Sequence, residues 1–146
     1  MKFLEENIVE VGVEATSPEA AIEAAGNLLL QEGFIEESYI EAMKDAYKKN
    51  GPYFVLAPHI AIPHARPEDG VNEASVSFIQ LKEPVVFGHA SNDPVQLVFS
   101  LGASSSDEHL TLLKKLTVLL NNAENINKLM NATSYDDIKN ILEMER

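Results

Sequence analysis

The chain has 146 residues, 45% of them apolar, which suits a single folded domain over 1–146 that buries about two thirds of the surface of its unfolded form. It has no cysteine, which excludes disulfides, thiolate metal sites and thiol nucleophiles together, so any covalent chemistry runs through another side chain. Eleven Lys and Arg against 23 Asp and Glu leave a net charge of −12, which repels nucleic acid and anionic membranes, keeps the chain soluble and steers basic protein partners toward it.

The opening "MKFLEENIVEVGVEA" carries acidic residues where a signal peptide would hold its apolar core, and no stretch is long enough to cross a bilayer. A cytoplasmic protein with no direct membrane insertion is expected. Within "IVEVGV", Val9, Val11 and Val13 alternate onto one face, which predicts a strand. Ser17 and Pro18 then announce a helix, with Ala21, Ala24, Ala25, Leu28 and Leu29 on its inner stripe and Gly33 at its end. A second helix follows in "SYIEAMKDAYKKNG", with Ser38 and Glu41 spaced as a capping box, Ile40, Met43 and Tyr47 buried, and Lys48, Lys49 and Gly51 at the exit.

After Gly51 the period changes. "YFVLA" and "HIAI" read as short β-type runs parted by Pro58, "ASVSFIQL" and "PVQLVFSL" as longer strands, and "PEDGV" and "HASNDP" as turns. "SSSDEHLTLLKKLTVLLNN" predicts a long helix with a Ser105–Glu108 capping box and an inner stripe of Leu110, Leu113, Leu116 and Leu120. Two shorter helices, "ENINKLMNA" and a last one capped by Ser134, close the chain. Helices before, between and after the strands point to an α/β sandwich around a mixed sheet.

Four histidines could carry chemistry: His59, His64, His89 and His109. His89 lies in a turn and is assigned a structural role. Pro63 fixes the backbone before His64 and presents the imidazole at the stiff end of a strand, where a neutral ring has one lone pair free to attack phosphorus. His109 falls in the first turn of the long helix, whose free N–H groups suit a phosphoryl group, although a surface histidine in a capping turn has the same signature. His59 and His64 are not a helical i, i+4 metal pair, and a metal hydrolase would have to recruit Glu68, Asp69, Asp93 or Asp107. "SLGASSS" lacks the nucleophile elbow of a serine hydrolase.

The segments "GPYFVLAPHIAIPHARPEDGV", "LKEPVVFGHASNDPVQLVFSLGA" and "DEHL", in that order, resemble the enzyme IIA proteins of the phosphoenolpyruvate-dependent sugar phosphotransferase system, of the mannitol/fructose class and most like the ascorbate-specific branch. The resemblance implies a three-layer α/β/α sandwich with a mixed β-sheet. It also implies a phosphoryl carrier without metal or cofactor, in which the histidine after Ile-Pro, here His64, takes phosphate from the phosphocarrier protein HPr and passes it to a cysteine of enzyme IIB. The family's second histidine matches His109. Mannitol-type relatives carry an arginine near the end of the preceding helix, a position that lines up with Lys48, and Arg66 follows the nucleophile either as a phosphate helper or as a surface turn residue. No role carries over to His59. Related IIA-like domains that sense phosphorylation state by binding other proteins share the same nucleophile, so a regulatory role is the alternative.

Overall fold

In the computed structural model, which describes residues 1–145, the strands and α-helices are β1 (Lys2–Phe3), β2 (Val9–Val13), α1 (Pro18–Gln31), α2 (Glu37–Asn50), β3 (Ile60–Ala61), β4 (Ser75–Val85), β5 (Val95–Gly102), α3 (Ser106–Leu120), α4 (Ala123–Asn131) and α5 (Tyr135–Met144). β1 and β2 lie along successive stretches of β4, both parallel to it. β4 is antiparallel to β5, and β5 is parallel to β3, so the sheet is mixed.

β4 over residues 75–81 and nearly all of β5 are buried because helices cover both faces of the sheet. Ile79, Leu81 and Val98 pack with α1 and α2 on one side. Val76, Phe78, Leu97, Phe99 and Leu101 pack with α3, α4 and α5 on the other, the Phe78 and Phe99 rings stacking at 4.8 Å. Each such buried side chain contributes about 1.5–3 kcal/mol relative to exposure. The few buried polar side chains on these strands are mostly satisfied: the Ser77 hydroxyl donates to Ala25 O at 2.7 Å, and the Gln80 amide donates to Ala132 O at 2.7 Å and Leu129 O at 2.9 Å. The result is the three-layer α/β/α sandwich expected from the sequence. α1 and α2 approach closely at Gly26, where a Cβ would stand 2.9 Å from Ile40 Cγ1.

Several local expectations need correction. "YFVLA" forms no strand: the chain turns there, with Val55 N–H bonded to Pro52 O at 3.1 Å, and β structure is limited to an isolated bridge from Ala57 to Ile60 and the short strand Ile60–Ala61. Pro52 and Pro58 remove ladder donors on both sides, and Phe54 instead joins an aromatic cluster with Tyr47 and Phe87. Ser38 is not a cap; α2 begins at Glu37, and the Ser38 hydroxyl donates to Asp69 O at 2.8 Å.

In α3 the Ser105 hydroxyl accepts from Glu108 N–H as expected, but the Glu108 carboxylate reaches Ser104 N–H rather than Ser105 N–H. The buried stripe of that helix is Leu112, Leu116 and Leu119, whereas Leu110 is 53% exposed. Ser134 stands at the cap of α5 without a side-chain cap bond; Asp137 takes the Thr133 N–H instead. Among the described residues no helix is long and apolar enough to cross a membrane.

Candidate functional site

Because β3 and β5 are parallel, their carboxyl ends share one edge of the sheet, the edge at which open α/β sheets place ligands. Three residues beyond β3 stands His64; β5 leads over a short loop into α3, whose first turn holds His109. The two imidazoles meet with ring centroids 5.3 Å apart at 61°. His109 lies three residues before Leu112 and seven before Leu116, so it continues the buried stripe of α3 to the helix start. With Leu110 turned inward, as the leucine spacing suggested, His109 would have pointed elsewhere.

The backbone around His64 is held on every side. Ile62 N–H bonds to Phe54 O at 2.9 Å, and Leu101 N–H bonds to Pro63 O at 3.1 Å. The His64 ring is fixed by Nδ1, 2.9 Å from Ile62 O. A carbonyl only accepts, so Nδ1 carries the proton and Nε2 keeps its lone pair. Tyr53 meets the ring edge-on at 6.1 Å. Burial, and then the charge that His64 carries when it is protonated, hold the His109 pKa below the ordinary histidine value, which favours the neutral ring.

On the α2 side of His64 runs a groove of about 620 Å³, lined among others by Asp45, Lys49, Arg66 and Asp69. Its lysine is Lys49, which the sequence marked only as part of the helix exit; Lys48, which lines up with the family arginine, does not line it. At 100° per residue, neighbouring helix positions point to different faces, and Asp45 and Lys49, four apart, share the groove side. Arg66 is 74% exposed at the groove edge, its Nε 3.4 Å from Asp69 Oδ2. Asp69 is held below the ordinary carboxylate range, first by the Arg66 backbone N–H.

The other two histidines stand apart. His59 precedes β3 at the end opposite His64; its Nδ1 lies 2.8 Å from Pro94 O, and its backbone bonds to Asn92, Gln96 and Leu97 at a φ of 70°. His89 Nδ1 accepts from the N–H groups of Ser91 and Asn92, both at 3.1 Å, the structural role assigned to it. Among the described residues no three His, Asp or Glu side chains converge as metal ligands. The arrangement around His64 can receive an electrophile: a directed lone pair, a second neutral imidazole, two nearby cations and the free amides of a helix start.

Residues 2–145 match the family described as "Phosphoenolpyruvate-dependent sugar phosphotransferase system, EIIA 2". An ascorbate-specific PTS system EIIA component of Shigella boydii serotype 4 (strain Sb227) is 30% identical over 140 residues, 95% of this chain and 91% of the relative. The mannitol-specific cryptic phosphotransferase enzyme IIA component of Escherichia coli (strain K12) is 34% identical over 140 residues, 96% of this chain and 95% of the relative. Among solved structures, the complex of enzyme IIAMTL and phosphorylated enzyme IIBMTL from Escherichia coli gives a TM-score of 0.84 at 32% identity, covering 97% of this chain and 99% of that one. Matched from residue 2 to residue 145, with the same layers and relatives aligned nearly end to end, the chain belongs to the EIIA 2 family of the phosphoenolpyruvate-dependent sugar phosphotransferase system.

Proposed function

We propose that the chain is a phosphoryl carrier whose acceptor atom is His64 Nε2. The observation that supports this most strongly is the Nδ1–H bond to Ile62 O at 2.9 Å, which leaves one lone pair at the open edge of the sheet beside His109. In the first step the Nε2 lone pair attacks the phosphorus of phospho-HPr in line; the new N–P bond forms as the donor's phosphorus–nitrogen bond breaks. In the second, a cysteine thiolate of enzyme IIB attacks the same phosphorus and His64 recovers its lone pair.

His109, Lys49 and Arg66 stabilise the equatorial oxygens in both steps, since positioning and electrostatics dominate such transfers. Lys48 lies one residue further round the helix and contributes only a more distant charge. The net charge of −12 suits docking to basic surfaces of both partners. The reaction belongs in the cytoplasm, and the system it feeds is proposed to take up L-ascorbate, on the likeness to the ascorbate-specific branch.

Incubation with phosphoenolpyruvate, enzyme I and HPr, followed by intact-mass measurement, tests the reading. A phosphate-sized, acid-labile gain is expected, and it is expected to vanish in His64→Ala. No gain, or the same gain in the variant, overturns it. Passage of the label to an IIB cysteine separates a carrier from a sensor of phosphorylation state, and faster passage to an ascorbate IIB than to a mannitol IIB is the outcome expected for the sugar.

A further inference from the structure

Tyr39 is fully buried in α2, and its hydroxyl is the one group of that helix bonded to the backbone next to His64. It sits 2.7 Å from Leu101 O and 2.9 Å from Ala65 N. The carbonyl of Leu101 can only accept and the amide of Ala65 can only donate, so the phenol proton goes to Leu101 and the Ala65 N–H comes to the phenol oxygen. Ala65 O, at 3.3 Å, is too poorly placed to compete for that proton. Burial pushes the Tyr39 pKa up to about 12, so the hydroxyl keeps its proton throughout the working pH range.

Leu101 also grips the other side of His64, because its N–H donates to Pro63 O at 3.1 Å. The peptide before His64 and the peptide after it are therefore both tied to one residue of β5, the first directly and the second through Tyr39. Fixing the two flanking peptide planes fixes φ and ψ of His64, and with them the reach of its Nδ1 to Ile62 O. β5 runs on into the helix that carries His109, so the same residue sets the two imidazoles relative to each other.

We propose that Tyr39 is a positioning residue for phosphoryl transfer: its hydroxyl closes a clamp from Leu101 around His64 that keeps the proton on Nδ1 and aims Nε2 outward. This rests on His64 as the acceptor. In Tyr39→Phe the ring and its packing stay while the clamp opens on the Ala65 side.

The control is Tyr47→Phe, which deletes another phenol hydroxyl of the same helix, one bonded to Phe87 O at 2.6 Å and away from His64. Misplacement of a reacting group by about 1 Å costs up to about a hundredfold in rate. Tyr39→Phe is expected to lower single-turnover phosphorylation by phospho-HPr about ten- to a hundredfold with an unchanged half-saturating HPr concentration, and Tyr47→Phe to leave both unchanged. Nitrogen NMR of unphosphorylated His64 is expected to show the Nδ1–H tautomer in the unchanged protein and a tautomer mixture in Tyr39→Phe.

Equal rates for the unchanged protein and Tyr39→Phe, equal slowing in the two variants, or an undisturbed tautomer in Tyr39→Phe overturns the clamp. If Tyr39→Phe does not fold, a fluorinated tyrosine at position 39, whose oxygen is a weaker acceptor, is expected to give a smaller tautomer shift, and no shift overturns the proposal. The tautomer is read without any phosphoryl donor. A chain that takes up no phosphate at all fails as a carrier, while the NMR result still decides the clamp.

Discussion

His59 and His64 flank the same two-residue strand, and each holds a backbone carbonyl through Nδ1, at 2.8 Å and 2.9 Å. By tautomer alone they are equivalent, each with Nε2 left free. Their surroundings differ. His64 stands at the carboxyl edge, facing a second imidazole and a groove with two cations, while His59 stands at the amino end of β3 in a left-handed turn, with no aromatic ring packed on it among the described residues. A directed lone pair is therefore common to both; what sets His64 apart is the edge where the second imidazole and the cations converge.

The sharpest break between the two is substitution of each in turn. His59→Ala is expected to leave phosphate uptake intact by mass while lowering stability by about 1 kcal/mol, the worth of one hydrogen bond, in a urea titration. Loss of uptake in His59→Ala would make the two ends of the strand functionally alike.

Next in size is His109→Ala, expected to slow transfer about a hundredfold, as removal of a donor to transferring oxygens does elsewhere, with a much smaller effect on the urea midpoint. Transfer at the unchanged rate would remove the second imidazole from the contrast. Lys49→Ala is expected to slow transfer about fivefold, the effect of removing a charge worth about 1 kcal/mol in water. Lys48→Ala is expected to change it less than about twofold, and the difference between the two is expected to shrink as salt is added. The reverse order would assign the groove charge to the wrong lysine.

The smallest effect is a titration. The His109 midpoint by NMR is expected below the ordinary value of 6.5, and it is expected to rise in His64→Ala, where the neighbouring positive charge is gone. A depressed folded pKa means that the unfolded chain binds this proton first as pH falls. The group therefore costs stability below about pH 6.5, the loss levelling off once the folded pKa is passed. In His109→Gln that slope is expected to disappear from stability measured against pH.

Much of the layered fold was legible because its cues are local: Ser17 and Pro18 at a helix start, Gly33 at its end, and two long apolar strands. The place of His64 just past a strand end was legible through Pro63, and that of His109 in a helix's first turn through Ser105 and Glu108. What escaped the sequence depends on neighbours distant along the chain. The leucines of α3 occupy enough positions to support two different inner faces, and only packing against β4 and β5 selects Leu112, Leu116 and Leu119. Phe54 looked like a strand residue because the aromatic cluster that claims it is assembled from Tyr47 and Phe87. Tyr39 and Lys49 carried no motif. One acts through bonds to residues 26 and 62 positions away, and the other is distinguished from Lys48 by a single helical step.

The bond from His64 Nδ1 to Ile62 O also has a kinetic consequence. It leaves the ring one reactive nitrogen, so a phosphoryl group that arrives at that atom must depart from it. On the carrier reading, donor and acceptor proteins take turns at one berth and never occupy it together. The exchange then follows a ping-pong pattern, in which an excess of either spent partner obstructs the other.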